Sequence, residues 1–185
     1  MLDIRLSVGG VAVPVGYAGL EWLPYIIPDT PGYEGACRHL AEHGGAKARY
    51  DMASRENIDT QTIRMLFQSG DVNARRALLA NKRAHQTLIQ DEILQVLEMD
   101  DPDLLEVLIC NVTEYVFCDP RPIFERLHVH PDPWVRGLIA DCADTPAPVL
   151  DALSRDADPD VARKANATIE NRSESDDLLL SEENE

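Results

Sequence analysis

An internal repeat is the feature that most constrains how this chain can fold. The segments RALLAN, EVLICN and RGLIAD begin at positions 76, 106 and 136, and each runs from a charged residue through an apolar centre to Asn or Asp. An earlier copy begins at Arg49 and a later one at Arg163, so the starting positions are 27, 30, 30 and 27 residues apart. A period of this length is typical of solenoids. We therefore expect about five copies over residues 44–171.

Each copy is preceded by a turn that can start a helix. The segments SGDVNAR, DDPDLLE, HPDPWVR and DADPDVAR place Asp at the end of the turn, often beside Pro. Asp accepts hydrogen bonds from the free amides of a first helical turn, and Pro is tolerated there. A helix should begin just after each of these segments.

A second helical segment follows each copy after a polar or Pro-marked link. Its apolar residues recur at helical spacing. They are Ile93, Leu94 and Leu97, then Ile123, Phe124 and Leu127, then Val149, Leu150 and Leu153. The sequence thus predicts a mainly α fold, a short right-handed α-solenoid of about five two-helix repeats of 27–30 residues.

The segments HPDPWVRGLIADCADTPAPVLDALSRD (130–156) and DADPDVARKANATI (156–169) resemble the leucine-rich repeat variant, a bacterial solenoid family. The resemblance implies stacked alternating α and 3₁₀ helices, although HEAT-type repeats give a similar pattern. The copies from 71 and 100 keep the spacing but depart from the motif at Lys82, Glu106 and Val112, and the copy at Arg49 is the weakest. An iron–sulfur cluster known in that family is not expected, because only Cys37 precedes the repeats. No cofactor is predicted.

The two ends of the chain differ from the repeats. The N-terminal LDIRLSV, Gly9-Gly10 and VAVPV form a β-hairpin signal, which a Pro-rich stretch and a helix over about 33–43 follow. Residues 1–43 are expected to cap the solenoid or, alternatively, to present a partner-binding hairpin. The tail, 172–185, is acidic and is predicted to be disordered beyond a helical extension through Leu178–Leu180, with a flexible anionic tether as the alternative.

The charge of the chain restricts its partners. A formal charge of −16 repels nucleic-acid phosphates and anionic lipids, and it favours a basic protein partner. No apolar run is long enough to span a bilayer, and the N-terminus lacks a signal-peptide pattern. We therefore expect a soluble, cytoplasmic protein that binds neither nucleic acid nor membrane.

No motif for catalysis or metal binding stands out. The glycine pairs fit neither the dinucleotide-binding nor the P-loop spacing, and Ser, His and Asp form no ordered motif, so an enzyme is not expected. His128 and His130 could bind a metal with Cys118 or Cys142, but His130 is better explained as a turn residue. Cys110 falls in the Ala column of the repeat and is predicted to be buried.

Candidate partner-binding residues are few. Aromatic and Arg side chains are common binding anchors. Phe117 is predicted to pack in the core, and Trp134 could brace one repeat against the next. The arginines at positions 49, 76, 136 and 163 recur with the repeat and indicate a ladder bonded to the adjacent repeat. The candidates are Trp134, Tyr115, Asp119, Asp132 and His130.

These features favour a non-catalytic protein–protein interaction module with an acidic, curved surface. An immunity or antitoxin-type protein, or an adaptor, that binds a basic partner would suit the size and charge. The alternatives are a nucleic-acid-related HEAT-like solenoid and a DNA mimic that occupies the groove of a nucleic-acid enzyme. The first alternative needs a basic concave face, which the sequence does not indicate.

Overall fold

A computed structural model describes the backbone of residues 5–8, 11–14 and 33–182, and the side chains of residues 33–174. The described part contains eleven α-helices and one pair of antiparallel strands. The prediction of a mainly α fold is therefore confirmed.

The strands β1 (Arg5–Val8) and β2 (Val11–Pro14) pair with Arg5 opposite Pro14. The Gly9-Gly10 turn that was predicted to join them lies outside the described residues, as do residues 15–32, which contain the prolines of the Pro-rich stretch. The helices are α1 (Glu34–His43), α2 (Ala46–Ala53), α3 (Thr60–Gln68), α4 (Val72–Leu79), α5 (Lys82–His85), α6 (Gln90–Met99), α7 (Pro102–Cys110), α8 (Arg121–Leu127), α9 (Pro133–Ala140), α10 (Ala147–Leu153) and α11 (Pro159–Glu182).

The chain divides into two compact units. The first unit contains residues 1–89 and 114–117, and the second contains 90–113 and 118–185. The division therefore falls inside the predicted repeat region. Helix α11 continues to Glu182, so it includes the expected helical extension through Leu178–Leu180 and ends two residues beyond it.

The first helix of most repeats begins at an Asp cap, as predicted. The side chain of Asp71 accepts a hydrogen bond from the amide of Ala74, and that of Asp101 accepts one from Leu104. Asp132 caps α9 in the same way. Caps of this kind satisfy amides that the first turn leaves without a partner.

The caps fix the register of the repeat. In every copy the third and the seventh residue after the N-cap are buried. The N-caps are Gly45, Asp71, Asp101, Asp132 and Asp158. These residues are Ala48, Ala74, Leu104, Val135 and Val161, followed by Met52, Leu78, Leu108, Ile139 and Ala165. The spacing of three and four residues is that of one helix face.

This register corrects the alignment of the sequence motifs. The copies that were started at Arg76, Glu106 and Arg163 are one residue late relative to the caps. Cys110 was predicted to be buried, but it is exposed, because the core position is Ile109. The prediction for Cys110 was wrong.

The second helical segments pack as predicted. All of their predicted apolar residues are buried except Leu94, which is half-buried. Within the described residues every helical segment is α-helical, so the alternation with 3₁₀ helices that the family resemblance implies is not seen there.

Side chains from one repeat bond to the end of the preceding first helix. Asn81 donates to the carbonyls of Ala53 and Arg55 at 2.8 and 2.9 Å, and Thr168 donates to the carbonyl of Ala140 at 2.7 Å. The last carbonyls of a helix have no partner within it, so these bonds both satisfy them and join neighbouring repeats.

The predicted arginine ladder is present only in part. Arg49 donates to the carbonyl of Ala41, and Arg136 donates to the carbonyl of His130. In the second copy Arg75, not Arg76, occupies the position four residues after the cap, and it donates to the carbonyl of Phe67 at 2.7 Å. Arg163 is exposed and bonds Asp160 within its own helix.

Candidate binding surface

The net charge of the chain lies in one unit. Of the 33 acidic residues, ten belong to the first unit and 23 to the second; of the 17 basic residues, ten belong to the first unit and seven to the second. The first unit is therefore neutral by count, and the second carries the whole −16. Any electrostatic attraction of a basic partner is directed mainly to the second unit.

The starts of three helices lie next to one another in this unit. Helix α9 packs against both α7 and α11. His130 Nε2 is 2.7 Å from Asp100 Oδ1, which joins the residues just before α9 and α7. The guanidinium of Arg136 in α9 binds the carboxylate of Asp156, just before α11, at 2.7 and 2.9 Å.

These helix starts form a row of carboxylates. We call it the acidic edge, and it consists of Asp100, Asp101, Asp103, Asp132, Asp158 and Asp160. Capping accounts for Asp101, Asp132 and Asp158, because the positive end of a helix favours a nearby anion. The side chains of the other three are not helix caps, and all three residues are exposed.

An exposed aromatic residue lies among these carboxylates. Trp134, in the first turn of α9, is 45% exposed. It borders a groove of about 290 Å³, which we call the Trp134 groove. The groove is lined by Pro133, Trp134, Gly137, Asp158, Asp160, Val161, Arg163 and Lys164. The structure thus places an apolar surface beside carboxylates.

Three of the five predicted candidates meet at the acidic edge, namely Trp134, Asp132 and His130. His130 is a turn residue with both ring nitrogens engaged. Its Nδ1 accepts a hydrogen bond from the amide of Asp132 at 3.1 Å, so its Nε2 carries the proton and donates to Asp100. His130 thus joins Asp100 to Asp132 by hydrogen bonds, and Trp134 is the exposed apolar side chain of the acidic edge.

Tyr115 is not part of an exposed surface. It belongs to the first unit and is only 2% exposed. Its hydroxyl donates to the carbonyl of Leu79 at 2.9 Å, and its ring packs edge-to-face on His85. Its choice as a binding anchor was wrong, because the whole side chain is used in packing. Phe117, which was predicted to be buried, is 60% exposed.

Asp119 lies in the second unit but outside the acidic edge. It precedes α8 and binds the guanidinium of Arg121 at 2.7 Å, while its amide donates to Gln90 Oε1. The hydrogen bonds from Arg121 lower the pKa of Asp119 below its usual value. This carboxylate already has a cationic partner two residues away, and it lies apart from Trp134.

The cysteine and histidine side chains considered as metal ligands are dispersed. Burial, with a smaller contribution from Glu92, raises the pKa of Cys118 to about 11. Burial also raises the pKa of Cys142, and His128 Nδ1 lies 2.8 Å from the carbonyl of Glu125. Across residues 33–174 no three His, Cys, Asp or Glu side chains are grouped as metal ligands would be.

Asp100, Asp103 and Asp160 were not predicted to be parts of one surface. The signal was present, since each lies within two residues of a cap that recurs with the repeat. Because α9 packs against both α7 and α11, an Asp that recurs near each helix start produces a row there. Gly137 was not predicted to line a groove either, since it is an ordinary position of the repeat copy RGLIAD.

Comparison of the chain with known protein families, curated proteins and solved structures found no match. Within the described part of the chain, no helix combines the length and the apolar character that crossing a bilayer requires.

Proposed function

We propose that the protein is a non-catalytic interaction module whose acidic edge binds the basic surface of a partner protein. The observation that carries this proposal is the location of the whole net charge in the unit that also exposes Trp134 among carboxylates. Complementary charge accelerates encounter and selects among partners, and a partly exposed aromatic ring supplies apolar contact area.

The same surface supports a proposal for the class of partner. An immunity or antitoxin-type protein that neutralises a basic toxin, or an adaptor for a basic protein, would use an acidic edge in this way. A DNA mimic would also present carboxylates in a row, but backbone mimicry has no need of an exposed indole. Direct nucleic-acid binding is disfavoured, because the net charge of −16 repels the phosphates.

The proposal includes the arrangement of the repeats. We propose a short right-handed α-solenoid, with the N-terminal strands and α1 as its cap. The recurring caps and the side-chain bonds between consecutive first helices support it. Within the second unit, such a stack would place the starts of α7, α9 and α11 on one surface.

A pull-down from the native host at low salt tests the function when it is combined with two matched variants. The edge variant carries Asp103→Lys and Asp160→Lys, and the control carries Asp91→Lys and Glu170→Lys, which make the same charge change at exposed positions elsewhere in the second unit. We expect the captured protein to be basic and its affinity to fall with salt. The edge variant should bind at least about tenfold more weakly, and the control within about twofold of the unmodified chain.

Three outcomes would overturn this proposal. They are a neutral or acidic partner, binding that salt does not change, and equal loss in both variants. Capture of a nucleic-acid enzyme whose groove is blocked would favour the DNA mimic instead. In a gel-shift assay with plain duplex DNA at moderate salt we expect no shift, and a shift would favour the nucleic-acid alternative.

A further inference from the structure

We propose that the Trp134 groove receives an arginine side chain of the basic partner. This inference rests on the proposed function and specifies its anchor chemistry. It is carried by a helical glycine that packing does not require, an exposed indole and a half-buried carboxylate, all on the walls of one groove.

Gly137 is the first observation. It lies inside α9, where glycine is among the least favourable residues. A Cβ atom at this position would lie 3.7 Å from Lys164 Nζ and 3.9 Å from Val161 Cγ2, which are ordinary van der Waals distances. An alanine would therefore fit and would favour the helix. The absence of a side chain at Gly137 leaves the groove open beside Trp134. Trp134 lies three residues earlier, on the same face of α9.

The shape and charge of the groove favour a planar cation. The guanidinium group of arginine can stack on an indole and at the same time donate N–H groups to a carboxylate oxygen, whereas the compact ammonium group of lysine cannot stack in this way. Asp158 is suited to be that carboxylate. It is half-buried, and its Oδ1 accepts the amides of Asp160 and Val161, while none of these bonds uses Oδ2.

The two basic residues of the groove do not exclude such a ligand. Arg163 already bonds Asp160 at 3.3 Å, and Lys164 lies 3.9 Å from Asp141. An anionic ligand would instead face Asp158, Asp160 and the −16 charge of the unit. An aliphatic side chain would use only Pro133, Trp134 and Val161 and gain nothing from the carboxylates. An arginine side chain can contact both the apolar side chains and the carboxylates of the groove.

Fluorescence titration of the full chain tests the inference. The Trp22→Phe background leaves Trp134 as the only tryptophan. The probes are an acetylated, amidated GRGRG peptide and its GKGKG counterpart. We expect the arginine peptide to change the emission of Trp134 and to bind at least about fivefold more tightly than the lysine peptide, since only guanidinium can stack on the indole while it donates to the carboxylate.

Two variants separate the groove from the fold. Gly137→Ala should raise the melting temperature by about 2 °C and yet weaken the arginine peptide several-fold. Because this variant gains stability, misfolding cannot explain the loss. Gly137→Leu should fill the groove and abolish the preference for arginine. Equal affinity for the two peptides, or unchanged binding in Gly137→Ala, would overturn the inference.

Failure of the inference is distinguishable from failure of the proposed function. If both peptides bind equally and salt weakens both, the acidic edge stands and the arginine anchor is wrong. If neither peptide binds and the native partner is insensitive to salt and to the edge variant, the proposed function is wrong as well.

Discussion

We expect Asn81→Ala to lower the free energy of unfolding of the first unit by about 3 kcal/mol. Asn81 is buried, and its Nδ2 donates to the carbonyls of Ala53 and Arg55, while its Oδ1 accepts the amide of Arg83 at the start of α5. One substitution thus removes two bonds to the preceding repeat and one helix cap. Urea unfolding with native-state hydrogen exchange of the α2 and α4 amides measures the loss.

Asn111 supplies the matched control. It also follows a first helix, but its Nδ2 donates at 2.8 Å to the carbonyl of Val107 within α7. Because no second repeat is involved, Asn111→Ala should cost less than about 1 kcal/mol. Equal costs for the two substitutions would show that the bonds of Asn81 to the preceding repeat contribute little.

The second large effect is expected at the Arg136–Asp156 pair. The two side chains are only 16% and 9% exposed, and Arg136 also donates to the carbonyls of His130 and Pro131. Arg136→Met leaves a nearly buried carboxylate without its guanidinium partner. We expect a loss of about 3 kcal/mol in the unfolding of the second unit, measured by urea denaturation at pH 7.

The same pair predicts a pH dependence. The hydrogen bond from Arg136 lowers the pKa of Asp156 in the folded chain. A lowered pKa contributes stability above the unfolded value, about 3.9, and this contribution is lost as the pH falls through the folded value. Acidification below about pH 4 should therefore destabilise the unmodified chain more steeply than Arg136→Met.

Arg155 provides the control for this pair. It binds Asp151 one helical turn away on an exposed surface of the same unit. Arg155→Met should change the free energy of unfolding by no more than about 0.5 kcal/mol and leave the acid slope as it was. A loss at Arg136 as small as that at Arg155 would mean that water screens the partly buried pair as well.

The local parts of the fold could be predicted from the sequence. An Asp before a helix start acts through amides two or three residues away, so Asp71, Asp101 and Asp132 mark their helices without tertiary information. The register was harder to predict. Aligning the copies on Arg76 and Glu106 displaced the core column by one residue, because the cap, not the charged residue, fixes which face is buried.

The errors at the candidate site have a related cause. Tyr115 and Phe117 lie in an irregular link, where no helical period tells which side chain is buried. The tyrosine can be buried because its hydroxyl donates a hydrogen bond to the carbonyl of Leu79, 36 residues away in the sequence. Such pairings depend on which elements pack together. The contact between His130 and Asp100 could not be predicted for the same reason.

Trp134 was identified because the chain contains few aromatic residues, whereas Asp132 belongs to the turn that recurs before each helix. The structure adds that these two residues lie where the starts of three helices come together. The carboxylates that cap α7, α9 and α11 for local reasons also form one acidic surface around an exposed indole. Helix capping and the proposed recognition of a basic partner therefore use the same residues.

Amide chemical-shift mapping tests the central claim most directly. The ¹⁵N-labelled full chain is titrated with an acetylated hexa-arginine peptide at low salt. We predict the largest shifts at the starts of α7, α9 and α11, including Asp103, Trp134 and Asp160, and little change over α1 to α5. Shifts spread evenly over all acidic positions, or concentrated in the first unit, would contradict the acidic edge as the binding surface.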